Sequence, residues 1–290
     1  MVQLHELDQN SPIPKSYVFR GTKDIAMKQL KEMLSLGRTV TPQQANLEHQ
    51  QQQGSICKFL QPVGEIELYI NTLIDEIQID PWPVPPKKRP NRCTGVALSI
   101  ACGLLEATYP NCPARILTFL AGPATLGPGM VIDTDRSNTI RTWYDIDKDN
   151  ARYVKKAIKH YKNIAVRAAS AGHAIDLFVG CLDQTGLHEM KTLCTSTGGH
   201  LFMCDSFQSS LFSQTYQKMF ATVNDQFEMG FNATMEVKCS RELKLQGIIG
   251  SCVSLRAVLF TYVIIFVQFR HFFSFLAFPK STVPRRSTFC

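Results

Sequence analysis

Two strand-length apolar runs, separated by a long amphipathic helix pattern, constrain the fold of this chain more than any other feature. ARILTFLAG at 114–122 and HAIDLFVG at 173–180 are almost unbroken in apolar residues. Such runs suit strands covered on both faces, as in a parallel sheet, and 114–122 is expected to be a central strand. Between them Val154, Ile158, Tyr161, Ala165 and Ala168 fall on one helical face, while Lys155, Lys159 and Lys162 share another. That helix is expected to end near Gly172, with Asp147 and Asp149 placing acid in its first turn. GGHLFMC at 198–204 predicts a third strand, and Asp205 or Ser206 is expected to cap a helix over SSLFSQTYQKMF. Strand–helix–strand alternation of this kind predicts an α/β domain with a mainly parallel sheet.

The flanking segments fit around that frame. MVQLHEL reads as a short strand, and Thr22 is expected to cap a helix over 24–36 that Gly37 closes. Residues 38–56 are polar and predict a loop. Ile66, Ile70, Leu73, Ile74 and Ile77 predict a helix over 64–78 with one apolar face. DPWPVPPKKRPNR at 80–92 carries five prolines and is excluded from regular structure. Thr94 opens TGVALSIACGLLEATYP, apolar on most sides and therefore expected deep in the fold. After 225 the pattern changes. Phe227, Met229, Phe231, Ala233, Met235 and Val237 alternate, and a second strand is expected at 243–249, which predicts antiparallel β structure opening a different domain.

Most catalytic patterns fail on inspection. The loop GPATLGPG follows a strand but lacks the lysine and the helix start that a phosphate loop requires, so it reads as a turn. Calcium loops starting at Asp133 or Asp145 would need Gly at the sixth position and Glu at the twelfth. The chain offers Asn138 and Tyr144, or Asn150 and Lys156. His188-Glu189, and His173 with Asp176, lie near expected strand ends but have no nucleophile turn or zinc helix beside them. The ten cysteines include no C-x-x-C pair, so no metal or other cofactor is expected. Cysteines within apolar runs and the lack of an apolar stretch in MVQLHELDQN point to a reducing, cytoplasmic setting.

The basic residues are the better candidates for function. The chain carries a net charge of +7, which favours anionic partners. Lys87, Lys88, Arg89 and Arg92 form one basic stretch, and Arg152, Lys155, Lys156, Lys159 and Lys162 a second. These nine are the candidate membrane-facing residues, each suitably placed Lys or Arg contributing about 1 kcal/mol at an anionic surface. A solvated helix face would account for the second group taken alone. Nucleic acid is not expected, because no aromatic stacking platform is interleaved with the charges.

Long contiguous segments carry a family resemblance. FLQPVGEIELYINTLIDEIQIDPWPVPPKKRPNRCTGVALSIACGLLEATYPNCPARILTFLAGPATLGPGMV, TWYDIDKDNARYVKKAIKHYKN, LDQTGLHEMK, DSFQSSLFSQTYQKMF and SRELKLQGIIGSCVSL resemble the trunk domain of the GTPase-activating inner-coat subunit of the COPII vesicle coat. The resemblance runs from Met1 to about Leu255. It implies a partial trunk similar to a von Willebrand A-type domain over 1–225, then the start of a β-sandwich over 226–255. It also implies a role in ER-to-Golgi transport, peripheral on the ER membrane and its vesicles. The implied partners are the cargo-binding sister subunit, the coat's small GTPase and the anionic ER membrane surface.

The same resemblance frames what the chain is expected to lack. The family's upstream sandwich portion, cysteine-paired zinc module and first trunk strand have no counterpart, nor do its later helical and gelsolin-like domains. Arginines inserted into GTPase sites contribute about 10³–10⁵ in rate. The family's activating arginine belongs to the later part, so negligible activation is expected from this chain, and no enzyme activity. The apolar tail at 256–290 is foreign to the family and reads as translated non-coding sequence beyond a splice boundary. Its uninterrupted run, Ala257 to Val267, is too short for a spanning helix. Loss of a trunk strand predicts exposed sheet edges and poor solubility. The alternatives are a truncated, non-functional product of the same gene and, more weakly, an unrelated α/β nucleotide-binding enzyme.

Overall fold

The computed structural model describes residues 1–7, 15–36, 57–77, 83–109 and 112–223, and beyond these the backbone of several strands between 222 and 279. The chain divides into two compact units, Met1–Pro110 with Pro123–His160, and Asn111–Gly122 with Tyr161–Cys290. The loop expected at 38–56 lies outside the described residues, as do the expected helix stop Gly37 and residues 80–82 of the proline-rich segment.

In the first unit, β1 (Val2–His5) pairs antiparallel with β2 (Ser16–Phe19). Helices α1 (Met27–Met33), α2 (Val63–Asp75) and α3 (Thr94–Thr108) follow. Val96, Ile100 and Leu104 recur every fourth residue along α3 and join Phe19, Leu30, Leu34 and Phe59 in one core. Leu98, Cys102 and Leu105, on the remaining faces of α3, are buried too, as its nearly unbroken apolar sequence predicts. The cap expected at Thr22 is not used. Ala26 precedes α1 with no side-chain cap, and Ser35 ends it in the left-handed conformation at φ 53°.

The glycine-rich loop is a turn, not a phosphate cradle. Thr125 pins it: its hydroxyl donates to Pro90 O at 2.7 Å and accepts from the Arg92 N–H at 2.9 Å. Gly127 sits at φ 76°, and a Cβ there would lie 2.0 Å from Gly21 O. Only glycine meets both demands. The next helix is a single short turn, α4 (Trp143–Asp147). Thr142 and Asp145 form a reciprocal capping box at its start.

That turn corrects the expected helix start. The long helix α5 is Val154–Ser170 and has no acid in its first turn. Asp147 ends α4, and Asp149 lies in the connection at φ 58°. The sequence carries two helix starts in series, each with nearby acids, and periodicity alone merges them.

The second unit is organised by a parallel sheet in the order β3 (Ala114–Leu120), β4 (His173–Gly180), β5 (Leu201–Cys204). β4 is central and buried from His173 through Val179. The expectation that 114–122 is the central strand is therefore corrected. Among the described residues β3 is an edge of this sheet, and Leu117 and Phe119 are 36% and 50% exposed. An apolar run reports the composition of both faces of a strand but not how many neighbours it has.

Helix α6 (Leu187–Thr197) is bracketed by Gly186 and Gly198, both left-handed, and buries Met190, Leu193 and Cys194. His188-Glu189 thus belongs to a helix start and not to a strand end. Helix α7 (Ser210–Met219) is capped by Ser209, whose Oγ accepts from the Phe212 N–H at 3.2 Å. The expected caps Asp205 and Ser206 lie too early by one turn. Phe212 and Tyr216, four residues apart, set their rings against Phe119, Phe178 and Phe202 of the sheet, with centroids such as Phe178–Tyr216 at 5.5 Å, and Phe220 packs on Tyr216 at 4.9 Å.

Further on, β6 (Thr222–Val223) pairs with β7 (Gln226–Phe227), and β8 (Gly230–Lys238) with β11 (Thr261–Phe269). β11 also pairs with β10 (Val253–Val258), and β9 (Leu243–Ile249) with β12 (Ser274–Pro279). All four pairings are antiparallel.

Candidate membrane-facing basic surface

The first basic stretch is a strap laid over a neighbouring loop. Lys87 turns the chain at φ 64°, and its carbonyl accepts from the Arg136 N–H at 3.0 Å. Lys88 forms an isolated bridge with Asp135, and its ammonium lies 4.0 Å from that carboxylate. The Arg89 guanidinium donates to Asp135 O and to Asn138 O, the second at 2.9 Å. Arg92 is held through its backbone by Thr125. Two of the four cations thus serve partly to fasten the strap. The Asp135 carboxyl sits below its usual range, chiefly through hydrogen bonds from Ser137 and secondarily through Lys88 and Arg89.

The second stretch lies on α5, and its geometry is simpler. Val154, Ala157, Tyr161, Ile164, Ala165 and Ala168 are buried along one side. This face turns Lys155, Lys156, Lys159 and Lys162 outward, and all four are exposed. Lys155 is paired with Asp149 at 2.5 Å, both side chains being well exposed. Lys156, Lys159 and Lys162 meet no carboxylate among the described residues, so their charge is directed to solvent. Arg152 precedes the helix and lies over the Tyr153 ring, 5.2 Å from its centroid.

The two stretches differ in what they can do. The strap's charges are partly spent on internal bonds, whereas the α5 lysines form an open row whose spacing is fixed by a rigid helix. Desolvated anionic ligands need converging donors. The lysine row offers point charges along a line instead, which suits a broad anionic surface.

Elsewhere the structure gathers ionisable groups the sequence did not pair. Arg115 of β3, Asp176 of β4 and His200 form a network in the sheet, with Asp176 fully buried and His200 partly exposed. The guanidinium donates through Nε and Nη2 to Asp176, the latter at 2.7 Å. Nη2 also reaches His200 Nδ1 at 2.6 Å, and the His200 N–H donates to Asp176 Oδ1 at 2.6 Å. Arginine has no acceptor, so in the contact with Arg115 it is the guanidinium that donates. Burial pushes the Asp176 carboxyl up, but the bonds from His200 and Arg115 outweigh it and hold it below its usual range. The sequence suggested His173 beside Asp176. Three residues apart on a strand, they point to opposite faces.

This network is not a reactive site. Ligands of open α/β sheets bind beyond the carboxyl ends of the strands. Arg115 is the second residue of β3, Asp176 the fourth of eight in β4, and His200 precedes β5. The neighbouring Cys194 thiol is pushed up to about 12 by burial and by the Asp176 charge, so it stays protonated and inert. Among the described residues no helix is long and apolar enough to cross a membrane.

A parallel sheet flanked by helices, with an exposed lysine row and an inward charge network, defines an α/β scaffold. The sequence model of the Sec23/Sec24 trunk domain matches residues 1–220, and the chain belongs to that family. The crystal structure of the human COPII-coat protein Sec24c has a similar fold. The two align with a TM-score of 0.56 and 14% identity over 92% of this chain and 30% of that one.

Proposed function

We propose that this chain acts in the COPII vesicle coat as trunk material of the GTPase-activating inner-coat subunit, on ER-to-Golgi carriers. Membership of the Sec23/Sec24 trunk family supports coat involvement. The long motifs described above favour the activating subunit over its cargo-binding sister. In this reading 1–225 is partial trunk, 226–255 opens a β-sandwich, and 256–290 is an added apolar tail. The work is done by surfaces: one for the sister subunit, one for the coat's small GTPase and one for the anionic ER membrane. In this reading the chain needs no cofactor and no catalytic group of its own.

The open lysine row on α5 carries the membrane part of the proposal. Lys156, Lys159 and Lys162 are exposed, lack acidic partners among the described residues and are fixed on one rigid helix. Lys155 joins them when the Asp149 pair yields to a more highly charged surface. Lys87, Lys88, Arg89, Arg92 and Arg152 add to the field from outside the helix.

Co-sedimentation with vesicles tests this directly. Phosphatidylserine-containing vesicles are expected to bind the chain and neutral phosphatidylcholine vesicles to leave it in solution. Replacing Lys155, Lys156, Lys159 and Lys162 together by Gln is expected to weaken binding more than tenfold, with a matching loss in high salt. Equal binding to both vesicle types, or by both proteins, would remove the membrane assignment. Co-precipitation with the sister subunit tests coat pairing separately. Failure to pair would remove the coat-pairing assignment.

A further inference from the structure

Glu6, the residue that follows β1, carries a side chain that is 1% exposed within the first unit. Its Oε1 accepts from the Tyr17 hydroxyl at 2.7 Å and lies 3.5 Å from the Lys58 ammonium. Its Oε2 is buried and accepts no hydrogen bond among the described residues. One neutral donor and one cation thus support this carboxylate, where buried polar atoms are ordinarily all satisfied. Tyr17 registers the contact: its hydroxyl is pushed up to about 12, first by the bond to Glu6 and then by burial.

Three segments meet at the same point. The Glu6 N–H donates to Lys15 O at 2.9 Å and extends the β1–β2 pairing. Glu6 O accepts from the Tyr69 hydroxyl of α2 at 3.4 Å. The Leu7 N–H donates to Lys58 O at 2.6 Å, in the short 3-10 turn Cys57–Phe59. Above that turn the Tyr17 and Phe59 rings meet edge-on at 5.7 Å. A buried carboxylate that loses its cation regains solvation only by moving outward, and the backbone bonds on either side move with it. Lys58 is the accessible half of the pair, its side chain 33% exposed.

We propose that Lys58 is an acylation site that latches the N-terminal hairpin: neutralising its Nζ releases Glu6, and with it the bonds from β1 and β2 to the 3-10 turn and α2. The acyl donor is a thioester of the acetyl-coenzyme A class. While paired with Glu6, Nζ is an ammonium without a lone pair, so the reaction takes the free amine after the pair has opened. That amine attacks the thioester carbonyl. The C–N bond forms as the C–S bond breaks, and the proton lost by the amine leaves with the thiol. The amide product carries no positive charge, so the ion pair cannot re-form and the open arrangement is kept. This inference concerns the first unit alone and does not depend on the coat reading.

The test is hydrogen exchange at the Glu6 and Leu7 amides of the 290-residue chain, with acetyl-lysine installed at position 58. Exchange there is expected to rise at least tenfold, and Lys58→Gln is expected to do the same. Lys58→Arg keeps the charge and should exchange like the wild type. Glu6→Gln removes the need for a cation, so Glu6→Gln with Lys58→Gln is expected to restore most of the protection. Mass spectrometry after incubation with acetyl-coenzyme A supplies a readout that needs no altered lysine. Acetylation at Lys58 is expected to be several-fold faster in Glu6→Gln than in the wild type, because the amine is no longer held in the pair. Wild-type exchange in the acetylated chain overturns the proposal. So does a double variant as exposed as Lys58→Gln, which would make Lys58 a packing residue only, or equal acetylation rates with and without Glu6.

Discussion

Asp176 shows how one buried charge is made tolerable in this fold. Its side chain is fully buried and keeps its negative charge only because Arg115 and the His200 backbone saturate its oxygens. Taking one partner out of such a pair leaves the other charge unpaired and costs about 3–5 kcal/mol. Arg115→Leu is therefore expected to lower the urea midpoint by a corresponding amount, and an unchanged midpoint would show that the pair contributes nothing. The pH dependence follows from the direction of the shift. Because folding lowers this carboxyl's pKa, its contribution is fully present above the ordinary Asp value near 3.9. It is lost as pH falls below that value, so acid unfolding should steepen there in the wild type and flatten in Asp176→Asn. At Gly127 the demand is steric. Gly127→Ala forces both a left-handed alanine, worth about 1–2 kcal/mol, and a Cβ 2.0 Å from Gly21 O, so a lowered melting temperature is expected.

At the scale of elements, α6 and β4 are joined by a hydrogen bond that sequence patterns do not reveal. β5 pairs with β4 only from Leu177 onward, which leaves the Ile175 N–H beyond the end of the ladder. Thr197, the last residue of α6, supplies the acceptor: its Oγ1 takes the Ile175 N–H at 3.0 Å and donates to Leu193 O at 2.5 Å. Thr197→Val keeps the shape and strands that N–H, so a loss of about 1–3 kcal/mol is expected in chemical denaturation. Destabilisation no larger than for a surface threonine such as Thr195→Val would show that the bond is dispensable. The strand runs at 114–122 and 173–180 and the lysine face of α5 were legible in the sequence, because each is set by a local period. What was not legible depended on partners distant in the chain. Arg115, Asp176 and His200 are 61 and 24 residues apart, and nothing in their spacing brings them together. The caps at Thr22 and at Asp205 or Ser206 failed for a narrower reason. Several cap-competent residues precede each helix, and tertiary packing decides which one the backbone uses.

For the molecule as a whole, the decisive feature is the β3–β4–β5 sheet, whose edges among the described residues remain apolar. β5 exposes Leu201 at 50% and Met203 at 63%, and β3 exposes Leu117 and Phe119. Natural sheets blunt such edges with charge, proline or cover, because a row of unpaired N–H and C=O groups beside apolar side chains recruits other strands. Net charge opposes association, but +7 over 290 residues acts at long range and is screened at physiological salt, whereas edge pairing acts at contact. Edge pairing should win. The isolated chain is therefore expected to self-associate in size-exclusion chromatography with light scattering, increasingly so at high salt. The double variant Leu201→Lys with Met203→Lys places charge on one edge without touching a buried residue, and is expected to shift the population toward monomer. A wild-type chain that elutes as a monomer at all salt concentrations and melts in one sharp transition would show that these edges are closed in solution. If the double variant associates as strongly as the wild type, the contact lies away from β5, and the same substitution at exposed Leu117 of β3 becomes the next discriminating experiment.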